Sequence, residues 1–480
     1  MGNIAYSKYL DYFVIILPMQ IMKFGGSSVA NADRIRNVAD IVISKSKLEE
    51  DKPVVVVSAM KGVTDALIRA ASTAGKGDSS YKSILKDMMR IHYEAADTLF
   101  SQKTIHSEIC GSLNPLFKEL EDVLRGVFLI KECSPRTNDL ISGFGERLSC
   151  LIIAAYISSD HARAEMVDAR TIIRTDNRYG RATVDFETTA QLVRKRLKKN
   201  NIIRVVTGFI SSTANGIATT LGRNGSDYTA SLLGAALNAS SVEIWTDVDG
   251  VFTADPRIVS TAWVIEEISF QEAMEMSFFG AEVIHPYTLL PVIEKKIPVY
   301  IKNTLNPSAP GTRIAKNVSR KNQPITGIAS IDNVSMITIE GGDMIGMPGI
   351  INQIFSSISN SGANIIMISQ ASSEHSVCLI LRYEDAHKAL KNLKKDLSDA
   401  ISSRIIRSVK ITDALEIIAI IGDNMRGQIG ICGKLFNSLG KADVNILAIA
   451  QGSTELNISI VISNKDEIDA ILAIHKAFLE

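Results

Sequence analysis

Lys23-Phe24-Gly25-Gly26-Ser27-Ser28 closes a short apolar run with a cation, two glycines and two hydroxyls. A chain that leaves a strand through such a turn and enters a helix exposes backbone N–H groups at the positive end of the helix dipole. Folds use that arrangement to hold phosphate without side-chain ligands. It is a different device from the GxxxxGK[ST] loop, which residues 427–434 fail in both spacing and final hydroxyl. Ser142-Gly-Phe-Gly-Glu146-Arg-Leu-Ser149 places a carboxylate in the first turn of an apolar helix, where it also reads as simple dipole stabilisation worth about 0.3–1 kcal/mol. Thr207-Gly-Phe-Ile, followed by Thr219-Thr-Leu-Gly-Arg223-Asn-Gly-Ser226-Asp227-Tyr-Thr229, sets a guanidinium four residues before a carboxylate. Trp245-Thr246-Asp247-Val-Asp-Gly, continuing through Phe252 to Asp255-Pro-Arg257, is a strand end where a nucleotide base could lie. Taken alone, Gly-Gly-Ser-Ser is more often a plain turn, and any one of the stretches could be an ordinary turn. Four of them at strand C-terminal ends imply one crevice, the place where open parallel sheets bind ligands.

The flanking residues supply the scaffold. Residues 20–30 read as strand, turn and helix start, with Ile35, Val38, Ala39 and Val42 at helical spacing beyond. Residues 53–58 form a continuous apolar, β-branched run, the mark of a strand buried on both faces of a parallel sheet. Residues 165–167, 202–208, 242–245 and 298–301 read as further strands alternating with helices, which predicts an α/β three-layer domain with a mostly parallel sheet.

Pro307-Ser-Ala-Pro-Gly311 and the polar residues 316–324 form a linker, and beyond it the chain repeats itself. At a spacing of 81, Phe355, Asn364, Gln370 and Glu374 recur as Phe436, Asn445, Gln451 and Glu455. Each copy predicts strand, glycine-rich turn, amphipathic helix, a strand ending in Gln, a small-residue turn and another strand. Two copies of one α+β module suggest a ligand site at their interface; duplication for stability alone is the plainer alternative.

Composition narrows the rest. With 480 residues, 46% hydrophobic, 22% charged, and 52 Lys+Arg against 52 Asp+Glu, the chain is long enough for two or three domains. It offers no basic footprint for nucleic acid or anionic lipid. Five scattered cysteines without a CxxC pair suggest neither disulfides nor zinc and favour a reducing cytoplasm. The apolar run at 12–17 is too short to span a bilayer, and Met19 or Met22 competes with Met1 as the start.

Taken together and in order, Lys23-Phe-Gly-Gly-Ser-Ser, Gly145-Glu-Arg-Leu-Ser149, Thr219 through Asp227, Trp245 through Arg257, and Phe279-Gly-Ala-Glu-Val-Ile-His-Pro286 resemble the motif series of aspartokinases. The repeated half resembles that family's paired ACT modules, of the ferredoxin-like βαββαβ type. The match is nearest to threonine-sensitive members, including the kinase half of bifunctional aspartokinase–homoserine dehydrogenases. The resemblance implies an N-terminal extension at 1–20, an amino-acid kinase domain at 21–315, and ACT domains at 325–405 and 411–480. It implies transfer of the γ-phosphoryl of ATP, bound with Mg2+, to the side-chain carboxylate of L-aspartate. That is the first step toward lysine, threonine and methionine. Such a nucleophile, with a pKa near ~3.9, is already ionised and needs no general base.

By the same resemblance, Lys23 and Asp227 are catalytic, and Lys23, Phe24, Gly25, Gly26, Ser27, Thr246, Asp247, Phe252, Arg257 and Val283 meet ATP, with backbone and hydroxyl donors from 25–28. Ser58, Thr64, Glu146, Arg223 and Ser226 meet aspartate, Glu146 at its ammonium and Arg223 as a fork on its α-carboxylate. Phe252 stands where tyrosine is frequent, and Glu282 where many members carry a nucleotide-contacting lysine. Gln370, Gln451, Asn364 and Asn445 mark the effector site; both glutamines also read as satisfying their own modules' backbone. Lysine-sensing relatives carry an aspartate at the position of Ile366, and an ammonium buried against isoleucine is uncompensated, so threonine is favoured over lysine. Asp343 could still serve lysine from the loop. A homodimer through the ACT modules is implied as well. The alternatives are another amino-acid kinase, acting on glutamate or a nucleoside monophosphate, and a catalytically inactive amino-acid sensor.

Overall fold

The computed structural model describes residues 19–48, 51–159, 162–197, 201–280, 286–318, 323–341, 349–370 and 376–480. Val283, Glu282, Asp343 and residues 1–18 of the expected extension lie outside them. The chain divides into two compact units, Met1–Val248 with Tyr287–Ala309, and Asp249–Pro286 with Pro310–Glu480. Residues 249–286 thus pack with the repeated half, although their motif belongs to the kinase series.

In the first unit every expected strand is present. Six run parallel in the order Ala164–Val167, Ile203–Thr207, Val54–Val57, Gln20–Phe24, Ser241–Thr246, Val299–Asn303. Val54–Val57 is buried at all four positions, as a strand covered on both faces must be. Helices Ala32–Leu48, Val63–Gly75 and Phe144–Ser159 pack on it, their Ile35, Val38, Leu67, Leu148 and Ile152 sharing one apolar core with Met22, Val55 and Val57. Two long helices, Tyr81–Leu99 and Lys103–Ile130, extend that core. A small separate sheet holds Arg174–Thr175, Ile210–Thr213 and Ala218–Thr220. Pro135–Ser159 is the one described stretch long and apolar enough to cross a membrane, and most of it is buried inside the protein.

In the second unit the repeat is explicit. Helices Ile350–Asn360 and Ile431–Lys441, strands Ile365–Gln370 and Ala448–Gln451, and strands Ser376–Arg382 and Asn457–Ser463 occupy equivalent places. Both repeated helices start after a left-handed glycine, Gly349 at φ 101° and Gly430 at φ 94°, a conformation costly for any residue with a Cβ. The strands form one antiparallel sheet in the order Ile365–Gln370, Ser376–Arg382, Gly327–Gly341, Ile406–Ile421, Asn457–Ser463, Ala448–Gln451. Residues 334–341 belong to the first module, but 327–331 pair with 417–421 and supply the outer strand of the second. The second module is therefore assembled from chain on both sides of the first.

Candidate active site

The parallel strands deliver their C-terminal ends side by side, and the Lys23 stretch, Thr207-Gly-Phe-Ile and the start of the Trp245 stretch follow from them. The Glu146 stretch instead lies where helix Pro135–Ser142 meets helix Phe144–Ser159, and residues 221–227 follow Ala218–Thr220 of the small sheet, so the four stretches do not all stand at parallel-strand ends as expected. Lys23 is 9% exposed, and its Nζ lies 2.6 Å from Oδ1 of Asp227, itself 6% exposed. Asp227 sits in the first turn of helix Gly225–Leu237, so the Arg223-to-Asp227 spacing is a single turn wrapped around a helix start. Arg223 is exposed, and its guanidinium has no partner among the described residues.

The turn after Lys23 is tight. The Gly25 N–H donates to the Trp245 carbonyl (3.2 Å), and the N–H groups of Ser28 and Val29 close back on Gly25 and Gly26. The N–H groups of Gly26 and Ser27 make no hydrogen bond among the described residues, which leaves two adjacent donors beside the Lys23 ammonium. A Cβ on Gly26 would lie 3.0 Å from the Ala59 carbonyl oxygen, so the backbone approaches as closely as glycine permits. Ser28 is turned inward: its hydroxyl donates to the Trp245 carbonyl at 3.2 Å and pairs with Thr304 at 2.7 Å, so it is no donor to a ligand. Phe24 is fully buried and stacked on Trp245, with centroids 5.8 Å apart, and forms the floor. Trp245 in turn donates to Glu243 (3.0 Å), which Lys45 also holds at 3.2 Å.

Glu146 is 3% exposed in the first turn of its helix. Its Oε1 accepts from the Ala59 N–H (3.2 Å), while Oε2 is buried without a partner. Burial pushes its pKa up to about 8, against the smaller opposing effect of that N–H. A lone buried carboxylate oxygen with nothing to bind is costly unless a ligand's donor completes it. Ser58 follows the strand end, and its carbonyl accepts from Ser149 Oγ at 2.6 Å. Thr64 is half-buried in the first turn of Val63–Gly75. Ser226 packs so closely on Gly208 that a Cβ there would lie 2.5 Å from its Oγ. Thr246 donates to Asp247 (3.1 Å) at the end of its strand.

The remaining expected residues belong to the second unit, where Phe252 bridges Val264 and Arg257 forks onto Asp255 at 3.0 Å. Asn364, Asn445, Gln370 and Gln451 are exposed in that unit. Ser369 Oγ donates to the Ile449 carbonyl (3.0 Å), which sets the strands ending in Gln370 and Gln451 beside each other. Gln451 also lines a cavity of about 250 Å³ with Gly430, Ile431 and Glu455. Two residues escaped sequence reading. Phe209 holds φ 66°, an outlier for an aromatic residue, and buried Asp139 anchors the loop that carries Arg223.

This is the fold of an amino acid kinase joined to paired ACT modules. The amino acid kinase family profile matches residues 18–303, and the ACT domain profile matches 337–397 and 418–478. Bifunctional aspartokinase/homoserine dehydrogenase 1, chloroplastic, of Arabidopsis thaliana is 37% identical over 467 residues, 95% of this chain and 51% of its own length. The chain thus spans about half the length of such bifunctional relatives. Escherichia coli aspartokinase III in its T-state complex with lysine and aspartate matches with a TM-score of 0.78 at 31% identity, over 96% of this chain and 100% of its own. Its R-state complex with aspartate and ADP matches equally well. The chain belongs to the aspartokinase family.

Proposed function

We propose that this chain transfers the γ-phosphoryl group of ATP to the side-chain carboxylate of L-aspartate, yielding ADP and 4-phospho-L-aspartate. The observation that carries this reading is the buried Lys23–Asp227 pair beside two free N–H donors, one helical turn from the unpaired guanidinium of Arg223. The carboxylate oxygen forms the new bond to the γ-phosphorus as the bond to the β,γ-bridging oxygen breaks, and ADP carries the electron pair away. Both reactants are anions, so the protein must align them and supply positive charge. Lys23 provides the point charge, oriented by Asp227. The N–H groups of Gly26 and Ser27 hold phosphate oxygens, and Thr246 and Asp247 border the nucleotide. Arg223 clamps the α-carboxylate, Glu146 receives the ammonium through Oε2, and Ser58, Thr64 and Ser226 line the substrate. Bound with ATP, Mg2+ would neutralise phosphate charge, and Asp227, beside Lys23, would be the carboxylate to hold it.

A coupled assay offering aspartate, glutamate and UMP separately tests the reading: turnover with aspartate is expected, and turnover only with the other two overturns it. In the repeated half, an end-product amino acid binds at the paired ACT modules and lowers activity, Gln370 and Gln451 contacting it. Threonine is favoured over lysine, because Ile366 offers an ammonium no partner. Thermal denaturation with each amino acid decides, since a ligand of the native state raises the midpoint. A larger shift with lysine would reverse the assignment. A homodimer formed through these modules and a cytoplasmic setting complete the proposal; the five unpaired cysteines fit a reducing compartment.

A further inference from the structure

Asp139 and Glu146 lie on successive helices, Pro135–Ser142 and Phe144–Ser159, joined at Gly143, whose N–H donates to the Asp139 carbonyl (3.2 Å). Glu146 has a place in the reaction above, and Asp139 has none. Yet Asp139 is 2% exposed and its carboxylate is fully engaged. Both oxygens accept from the Gly180 N–H at 2.9 Å, Oδ2 also from the Thr220 N–H at 3.0 Å, and Oδ1 from the Thr220 hydroxyl at 2.9 Å. The donors come from two chain segments that meet directly where the Ala182 N–H donates to the Thr220 carbonyl (3.1 Å). Desolvating a carboxylate is costly, so this one is best explained by what its hydrogen bonds hold in place.

What they hold is the turn that carries Arg223. Two residues after Thr220 the chain reverses at Gly222, with φ 79°. A Cβ there would lie 3.3 Å from the Gly180 oxygen, so the turn lies directly against the segment Asp139 holds. The Leu221 N–H donates to the Phe209 carbonyl (2.9 Å), and the Gly225 N–H closes the turn on Gly222 (3.0 Å). No side-chain hydrogen bond or ion pair among the described residues steadies Arg223, so its position follows from this backbone.

We propose that Asp139 is a positioning residue for Arg223: by tying Thr220 to Gly180 it fixes the turn that aims the guanidinium at the substrate's α-carboxylate. This rests on the aspartate kinase reading and deepens it. One run of helix then sets both recognition points of an α-amino acid, the ammonium through Glu146 and the carboxylate through Asp139 and Arg223.

Steady-state kinetics on the full chain test it. Asp139→Asn is expected to raise the KM for aspartate about tenfold, with the KM for ATP changed less than about twofold. Combined with Arg223→Lys, which keeps the charge but loses the fork, Asp139→Asn should add little, because both changes spoil the same contact; independent sites multiply their effects. If Asp139→Asn does not fold, Thr220→Val removes one donor to the same carboxylate and should show the same aspartate-only rise, about threefold. Multiplicative losses, or equal rises in the two KM values, overturn the inference alone. A wild-type chain that does not turn over aspartate overturns the parent reading and the inference with it.

Discussion

Raising the pH from about 6 to about 8 should tighten aspartate binding, against the expectation for a carboxylate that ordinarily titrates near pH 4. Glu146 is the cause. Burial pushes its pKa from 4.5 up to about 8, so the empty site holds a proton at neutral pH. The substrate ammonium needs the carboxylate, and binding must expel that proton. The KM for aspartate then falls nearly tenfold per pH unit up to about pH 8 and is flat above it. Stability runs the other way. Between 4.5 and about 8 the folded chain holds a proton that the unfolded chain has lost, so Glu146's contribution falls as pH rises, by roughly 5 kcal/mol in total, and then levels off. Calorimetry of aspartate binding near pH 7 in two buffers of different ionisation enthalpy reads the released proton as a difference in heat. Glu146→Gln should abolish the release, flatten the pH profile and raise the KM about a hundredfold near pH 8. A wild-type KM constant across this window, with no buffer-dependent heat, would refute the reasoning.

Lys23→Ala and Arg223→Ala should each abolish turnover in the coupled assay while leaving the proposed threonine-induced rise in melting midpoint intact; unchanged turnover in both removes their proposed roles. Lys23→Ala should also lower stability by about 3 kcal/mol, because it strands the buried Asp227, and urea titration measures this directly. Gly430→Ala forces a Cβ into φ 94° at a helix start and should cost about 1–2 kcal/mol in the same titration, with weakened effector binding because Gly430 lines the cavity beside Gln451.

The parallel strands were legible because burial on both faces leaves continuous β-branched runs, as in Val54–Val57. The Lys23 and Arg223 stretches were legible because glycines and charges cluster where a strand ends. Asp139 was not: its partners lie 41 and 81 residues away, and nothing adjacent to it distinguishes it from a solvated polar residue. The inward turn of Ser28 was hidden for the same reason, since it depends on Trp245 and Thr304, both distant in sequence. The 81-residue repeat announced two modules. It could not announce that residues 327–331 serve the second, because strand pairing carries no mark in spacing alone.

That pairing makes the leading module an insertion inside the trailing one. Excising the trailing module at its apparent start would leave it without a border strand and expose the open edge of an isoleucine-rich sheet to self-association. A transplant to another host would have to carry the five residues from Gly327 along with it. The two modules thus form a single nested object rather than two beads on a string.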